Sequence, residues 1–140
     1  MQQSNVQRGL IQRNAFQDLT GFRSFLAKLV NNGGDPQIAL PTAITDMCPY
    51  IVTDDNVAGK PAGVEPLHSE KNARIPLVGN CTTGDPLVLA DPTVAGQAGM
   101  LQSLTGLAAG TYRLIGIAEE NGVNGQYVLL RPVAQTLVTV

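Results

Sequence analysis

The residues with the most chemical potential in this sequence surround its single histidine. His68 is followed by Ser69 and flanked by Glu65 and Glu70, all within one Pro-flanked stretch. A Ser-His-acid triad normally joins side chains from separate elements of the fold, whereas these four are close neighbours along the chain. We therefore expect a solvated loop histidine, no catalytic residues, and a protein that is not an enzyme.

Metal ligands are equally sparse. One histidine and the two distant cysteines, Cys48 and Cys81, cannot supply the four protein ligands of a closed zinc site. Asp54-Asp55-Asn56 offers oxygen ligands but lacks the spaced donors and terminal Glu of an EF-hand. The pair Glu119-Glu120 is most simply a solvated turn. We expect no metal, no cofactor and two free, buried thiols.

Phosphate and nucleic-acid binding are also disfavoured. Gly79 and Gly84 have the spacing of a phosphate-binding loop, but Asp85-Pro86 stands where that loop requires Lys and Ser/Thr. The chain has a formal net charge of −2 and lacks a basic face with interleaved aromatic residues. It also lacks an apolar stretch of membrane-spanning length. We expect neither direct nucleic-acid binding nor membrane insertion, and synthesis in a cytosol-like compartment.

The charge content instead suggests a protein that packs against others. Only 14% of the 140 residues are charged, which is low for the surface of a free soluble monomer. The charge is also uneven. Residues 1–30 carry four bases and one acid, giving +3, whereas residues 31–140 carry five bases and ten acids, giving −5. The two parts therefore face different partners, or each other.

The elements that must position these residues divide into three parts of a single domain, 1–140. Residues 1–14 are polar and predict an extended arm. From Phe16 the apolar residues recur at three- and four-residue steps, which predicts a helix over about 15–31 that ends at Asn31-Asn32-Gly33-Gly34. Its apolar face either closes the core of the domain or docks on another subunit. Residues from about 35 to 140 predict a β-rich body.

Short apolar runs bounded by Gly, Pro and Asp predict the strands of this body. The expected strands are Gln37–Leu40, Tyr50–Thr53, Arg74–Val78, Leu87–Ala90, Tyr112–Ala118, Gln126–Arg131 and Thr136–Val140. The stretch from Asp54 to Pro66 predicts a long surface loop, and residues 94–110 predict irregular structure. No repeat period stands out in the sequence.

The segment around residues 113–133 predicts a β-hairpin with an Asn-Gly turn. A turn at Asn121-Gly122 would place Tyr127 opposite Gly116, and we favour this register over a turn at Asn124-Gly125. The chain then ends in an apolar strand that contains Val138 and Val140. An open strand edge invites pairing with another chain, so we expect this edge to serve in assembly.

The order of strands and turns in the second half resembles the head-decorating, or cement, proteins of tailed bacteriophages. The resemblance rests on the segments TGDPLVL (83–89), RLIGIAE (113–119) and QYVLL (126–130), joined by a small-residue stretch and a Gly-rich turn. It implies a jelly-roll-like β-sandwich or barrel that binds the outer surface of the capsid shell. The Phe-bearing segment near the N-terminus is a departure, since simpler members of the group lack it.

This resemblance implies a structural protein of the virion that bridges subunits of the major capsid protein as a dimer or trimer. We expect arginines to meet capsid carboxylates and apolar residues to anchor the arm. The predicted contact residues are Arg8, Leu10, Ile11, Arg13, Phe16, Val138 and Val140. The alternative is a small ligand- or glycan-binding module of a phage tail or adhesin.

Overall fold

The computed structural model describes residues 10–140, which form eleven β-strands and no helix. The predicted mainly β class, with barrel-like sheets, is therefore confirmed. The strands are Ile11–Asn14 (β1), Leu26–Asn32 (β2), Asp35–Ala39 (β3), Tyr50–Asp54 (β4), Pro61–Pro66 (β5), Ala73–Val78 (β6), Pro86–Leu89 (β7), Leu101–Ser103 (β8), Thr111–Ala118 (β9), Tyr127–Pro132 (β10) and Leu137–Thr139 (β11).

The strands close into two small barrels. In the first, here called the N-barrel, the order is β1-β5-β4-β2-β3, and a parallel bridge between Ala15 and Ile38 joins its two ends. In the second, the C-barrel, the order is β10-β6-β8-β7-β9, and β9 also pairs with β10 to close the ring. Each barrel has five strands, whereas a jelly roll has eight. Strand β11 lies beyond the ring and pairs with β9.

The two barrels have the same topology. When the strands of each barrel are counted in chain order, the first strand (β1 or β6) runs antiparallel to the fifth (β5 or β10) and parallel to the third (β3 or β8). The remaining neighbouring pairs are antiparallel. The registers also agree. Val52 pairs with Val64 and Ala118 pairs with Leu130, so equivalent residues of these strands lie 66 positions apart (118 minus 52, 130 minus 64). The chain is thus an internal structural repeat, which the sequence did not reveal.

Each barrel has its own apolar core, and β2 and β4 contribute to both. Along these strands successive side chains point to opposite faces. Ala27 and Val52 therefore enter the core of the N-barrel, whereas Leu26 and Ile51 pack in the core of the C-barrel. The alternation places one wall of the N-barrel between the two cores and joins the barrels into one packed unit.

A polar junction reinforces this contact. Arg113 of β9 donates to the Thr45 carbonyl through Nε at 3.0 Å and Nη2 at 2.7 Å. The Gln135 amide accepts from the Cys48 backbone N–H at 2.9 Å and donates to the Cys48 carbonyl at 2.7 Å. A side-chain amide therefore pairs with this segment as a neighbouring strand would.

The predicted helix over about 15–31 is wrong. Gly21 and Ser24 have φ values of +85° and +70°, which a right-handed helix cannot accommodate. The chain turns at these residues and then enters β2. The apolar residues that suggested one helical face are divided instead between the two cores, because Leu19 packs in the N-barrel and Leu26 in the C-barrel.

Two other predicted boundaries also change. Ile11–Asn14 is strand β1 paired with β5, so the extended arm predicted for residues 1–14 does not reach residue 14. The predicted loop from Asp54 to Pro66 contains strand β5. The other expected strands are found with small shifts at their ends, and β8 forms within the stretch predicted to be irregular.

The favoured hairpin register is also wrong. Gly116 lies opposite Pro132, not Tyr127. Neither Asn-Gly pair is a two-residue loop that joins β9 directly to β10, and both asparagine side chains bond to a different segment. Asn121 Oδ1 accepts from the Thr83 N–H at 2.8 Å, and Asn124 Oδ1 accepts from the Gly79 N–H at 2.9 Å. These bonds hold an eight-residue connection, 119–126, against the loop between β6 and β7.

Candidate interaction surfaces

The predicted contact residues near the N-terminus lie on and beside β1. Leu10 and Phe16, at either end of this strand, are 64% and 50% exposed. Ile11 packs against the core of the N-barrel. The Arg13 side chain is exposed and donates only to the neighbouring Gln12 carbonyl within the described chain. Arg8 lies outside the described residues.

The predicted contact residues at the C-terminus lie on a two-stranded ribbon. Val138 is opposite Tyr112, and Val140 exchanges two backbone hydrogen bonds with Gly110 at 2.9 and 3.1 Å. Within residues 10–140, β11 pairs with β9 alone, so its other edge is open. Leu137, which sequence reasoning missed, is exposed on the same strand as Val138. Strands β1 and β11 belong to different sheets and form two separate candidate surfaces.

Carboxylates first considered for chemistry take part in ion pairs. Glu65 forms an ion pair with Lys71, and Glu119 pairs with Arg131 at 3.2 Å. The Leu129 N–H and Arg74 lower the pKa of Glu120. In the part of the chain that the structure describes, no three His, Cys, Asp or Glu side chains are grouped so that they could hold a metal ion. The same residues contain no helix that could span a membrane.

The acidic turn Asp54-Asp55-Asn56 fixes the backbone of the segment that contains Gly21. Asp55 accepts from the Gly21 N–H at 2.7 Å and from Arg23 Nε at 2.9 Å. The Gly21 N–H, followed by the Arg23 guanidinium, lowers the pKa of this carboxyl group. Asn121 occupies the equivalent position in the C-barrel and also fixes a loop. Asp55 therefore has a structural role in this turn.

An open cleft of about 360 Å³ lies between β4, β5 and the segment that leads to β6. His68 lines it together with three basic residues, Arg23, Lys71 and Arg74. Each of these bases already pairs with a carboxylate, namely Asp55, Glu65 and Glu120 respectively. An anionic ligand in the cleft would therefore compete with these ion pairs.

The two thiols are free and buried, as predicted. Burial, assisted by the neighbouring Asp46 carboxylate, raises the pKa of Cys48 to about 12. Burial also raises the pKa of Cys81. Burial raises the pKa of Asp46 as well, but hydrogen bonds from Lys28, Thr42 and Ala43 outweigh it and bring the pKa of that carboxyl group to about 2.

Sequence reasoning also missed two exposed valines at the turns of the β4–β5 and β9–β10 connections. Val57 is 47% exposed and Val123 is 61% exposed. They are 66 positions apart and therefore equivalent in the two barrels. Their equivalence follows from the strand registers, which is why sequence reasoning did not find it.

Comparison with solved structures reveals a similar fold. The crystal structure of the N base of head fiber gp8.5 in bacteriophage phi29 matches with a TM-score of 0.67 and 18% sequence identity. The match covers 93% of this chain and 98% of that chain. At this identity the likeness establishes the shared fold alone. No family model matches the sequence, and no curated protein matches it.

Proposed function

We propose that this chain is a structural protein of a bacteriophage virion, which acts as a cement or decoration protein on the outer surface of the capsid. The observation that carries the proposal is the fold shared over 93% of the chain with the base of a phage head fiber. A head fiber base is named for its place on the phage head, which is the location that the proposal gives to this chain. The protein would be made in the host bacterial cytoplasm and join the particle there.

The proposed partners are the major capsid protein and other copies of this chain. Two features of the surface support this. The side chains of Leu10 and Phe16 provide exposed apolar contacts beside β1, and β11 offers an open strand edge with Leu137 and Val140 exposed. With only 14% charged residues, such a surface loses little solvation when it is covered. Contacts of modest area, repeated over a shell, combine through multivalency.

Co-sedimentation with capsids tests this proposal. Capsids of the phage that encodes the chain would be purified without this protein and mixed with it at increasing dilution. We expect wild-type protein to sediment with the shells and to remain bound after washing. A wild-type protein that stays in the supernatant at all concentrations would rule out the capsid role.

Variants then separate the two surfaces. The double variant Leu10→Asp/Phe16→Asp places two charges beside β1, and Leu137→Lys/Val140→Lys places two on the C-terminal ribbon. Removal of an apolar anchor from an interface typically weakens binding on the order of 10-fold or more. Met47→Asp is the control, since Met47 is a comparably exposed apolar residue elsewhere. Equal binding of all three variants and wild type would exclude both surfaces from the contact.

The cleft of about 360 Å³ supports a second candidate, a ligand- or glycan-binding module. Its size is within the range of small-molecule sites. A glycan array and an NMR titration with the hits would test it, with Lys71→Ala as the variant that alters the cleft. Saturable binding that this variant weakens would favour the second candidate, whereas a blank array would count against it.

A further inference from the structure

The sequence contains three Asn-Gly pairs, which are Asn32-Gly33, Asn121-Gly122 and Asn124-Gly125. In such a pair the glycine nitrogen can attack the asparagine side chain, because glycine has no side chain of its own to hinder the approach. Loss of ammonia then converts the asparagine to aspartate or isoaspartate. Since the three pairs share this residue chemistry, their structural surroundings decide which of them can react.

The pair Asn121-Gly122 is fixed at both reacting groups. Asn121 Oδ1 accepts from the Thr83 N–H at 2.8 Å and from the Thr83 hydroxyl at 3.0 Å. The Gly122 N–H donates to the Cys81 carbonyl at 3.0 Å, and Gly122 is buried. Both the attacking nitrogen and the side chain must therefore leave their hydrogen bonds before a ring can close.

The pair Asn124-Gly125 is fixed in the same way. Asn124 Oδ1 accepts from the Gly79 N–H at 2.9 Å, and the Gly125 N–H donates to the Leu77 carbonyl at 2.8 Å. Both residues of this pair are exposed. Its protection therefore comes from these hydrogen bonds and not from exclusion of solvent.

The pair Asn32-Gly33 lies in different surroundings, at the tip of the β2–β3 hairpin. Asn32 pairs with Asp35 across the two-residue turn Gly33-Gly34, and all four residues are exposed. Within residues 10–140 the Gly33 N–H has no hydrogen-bond partner. The Asn32 amide donates to Gln37 Oε1 at 3.2 Å, which is a contact between side chains at the surface. The attacking nitrogen of this pair is thus free.

The hairpin tip also has room for the movement that ring closure requires. Rotation about the Cα–C bond of Asn32 carries the Gly33 nitrogen toward Asn32 Cγ, and the two turn glycines move with it. A Cβ added at Gly33 or Gly34 would meet no atom within 4 Å, so open space surrounds the turn. Exposed turns open at a lower free energy than core strands do. The reactive geometry is therefore accessible without disturbance of either barrel core.

We infer that Asn32 is a modification site at which the folded chain deamidates spontaneously, whereas the fold protects Asn121 and Asn124. The Gly33 nitrogen loses its proton to a base in the solvent and bonds to Asn32 Cγ. The Cγ–Nδ2 bond breaks, and the side-chain nitrogen leaves as ammonia. Water then opens the succinimide ring at either carbonyl, which gives aspartate or isoaspartate.

The modification adds a negative charge at the hairpin tip. When the product is aspartate, the new carboxylate lies on the residue opposite Asp35, and like charges at directly opposite positions disfavour strand pairing. When the product is isoaspartate, the backbone gains a methylene group, which alters the pairing at the end of β2. The inference does not depend on the proposed function.

Peptide mapping after incubation in a mildly alkaline buffer tests the inference. The purified protein would be incubated both folded and in concentrated urea, digested at intervals, and analysed by fragmentation mass spectrometry to locate each modified asparagine. Isoelectric focusing of the folded protein gives a second measurement. The variant is Asn32→Gln, because glutamine must close a larger ring. The matched control is Asn72→Gln, which replaces an exposed asparagine that is followed by alanine.

In the folded protein we expect Asn32 to deamidate on the order of 10-fold faster than Asn121 or Asn124, because hydrogen bonds at the latter two must first open. In urea the three sites should react at similar rates. Wild type and Asn72→Gln should accumulate a more acidic species, and Asn32→Gln should not.

Three results would overturn the inference. The first is an equal rate at all three sites of the folded protein, or a faster rate at Asn121 or Asn124. The second is an Asn32 that stays intact in the folded protein, whether or not it reacts in urea. The third is an acidic species that accumulates as fast in Asn32→Gln as in wild type.

Discussion

Ser24 is a residue whose backbone is strained by its position in the fold. Its φ of +70° is in the left-handed region, and it is the one non-glycine residue of the described chain with positive φ. The Ser24 N–H donates to the Val52 carbonyl at 2.8 Å, and the equivalent bond in the C-barrel runs from the Gly84 N–H to the Ala118 carbonyl at 2.9 Å. Glycine therefore occupies this place in one barrel and serine in the other.

We predict that Ser24→Gly stabilises the protein. A non-glycine residue in this region costs about 1–2 kcal/mol, and the greater freedom of glycine in the unfolded chain offsets about 0.4–1 kcal/mol. The free energy of unfolding should therefore rise by about 0.5–1 kcal/mol, as measured by urea titration. The matched control, Gly84→Ala, should lower it, since φ is +93° there although an added Cβ would have open space. A loss of stability in Ser24→Gly would refute this account.

At the residue scale, sequence reasoning succeeded where chemistry depends on residue type and failed where it depends on register. The buried, free state of Cys48 and Cys81 was predicted from the absence of an oxidising context. The exposed turn valines were missed because Val57 and Val123 become equivalent only once the strands of each barrel are paired. The predicted contact roles of Leu10, Arg13, Phe16 and Val138 remain predictions.

At the scale of elements, the junction through Gln135 replaces a missing strand pair. In the C-barrel, β10 and β11 run consecutively along one edge of β9, where the Val133 N–H donates to the Ile115 carbonyl at 3.1 Å. The equivalent bond in the N-barrel runs from the Leu67 N–H to the Pro49 carbonyl at 2.8 Å. After this bond the chain leaves the edge of β4 and continues toward β6. The Gln135 side chain takes over by pairing with the Cys48 backbone.

We predict that Gln135→Ala lowers the free energy of unfolding by about 1–3 kcal/mol, because the substitution leaves the buried N–H and carbonyl of Cys48 without partners. Gln97→Ala, in the loop between β7 and β8, removes the same amide from another partly exposed position and serves as the control. Urea unfolding of the two variants beside wild type measures the difference. Equal stability of Gln135→Ala and wild type would show that water replaces the amide at no cost.

The strands were predictable because their apolar runs are short and bounded by Gly, Pro and Asp. The helix was not, because Leu19 and Leu26 have helical spacing but enter two different cores after a turn at Gly21 and Ser24. The hairpin register failed for a related reason. Asn121 and Asn124 are good turn residues, yet their side chains bond to Thr83 and Gly79 on a distant loop.

At the scale of the whole molecule, the shared wall of the two barrels couples their stability. Leu26 belongs to strand β2 of the N-barrel but is fully buried in the core of the C-barrel, together with Ile75 and Leu130. We predict that Leu26→Ala lowers the free energy of unfolding by about 2–5 kcal/mol. Because the wall serves both cores, the variant should still unfold in one transition.

Urea unfolding followed by circular dichroism and by tyrosine fluorescence tests this coupling. Tyr50 packs on the N-barrel core, whereas Tyr112 and Tyr127 belong to strands of the C-barrel. Leu29→Ala, on the same strand but 39% exposed, should cost much less. Two separate transitions in the Leu26→Ala variant would show that the barrels unfold independently.

The repeat itself could not be predicted, because it is preserved in hydrogen bonding and not in residue identity. Ala15 and Leu77 make the same bonds at the same place with different side chains, and the Leu19 and Cys81 N–H groups donate to the equivalent carbonyls of Asn56 and Gly122. Backbone pairing tolerates such replacement provided that the side chain fills the core. The sequence therefore retains the strands of each barrel but not a visible period.

The protonated state of the two buried thiols has a practical consequence. A thiolate is the form that reacts with maleimides and iodoacetamide, and with its pKa raised to about 12 Cys48 offers almost none at neutral pH. Cys81 is 7% exposed, and burial raises its pKa as well. A single cysteine engineered on the surface could therefore carry a fluorophore selectively, with both native cysteines left in place.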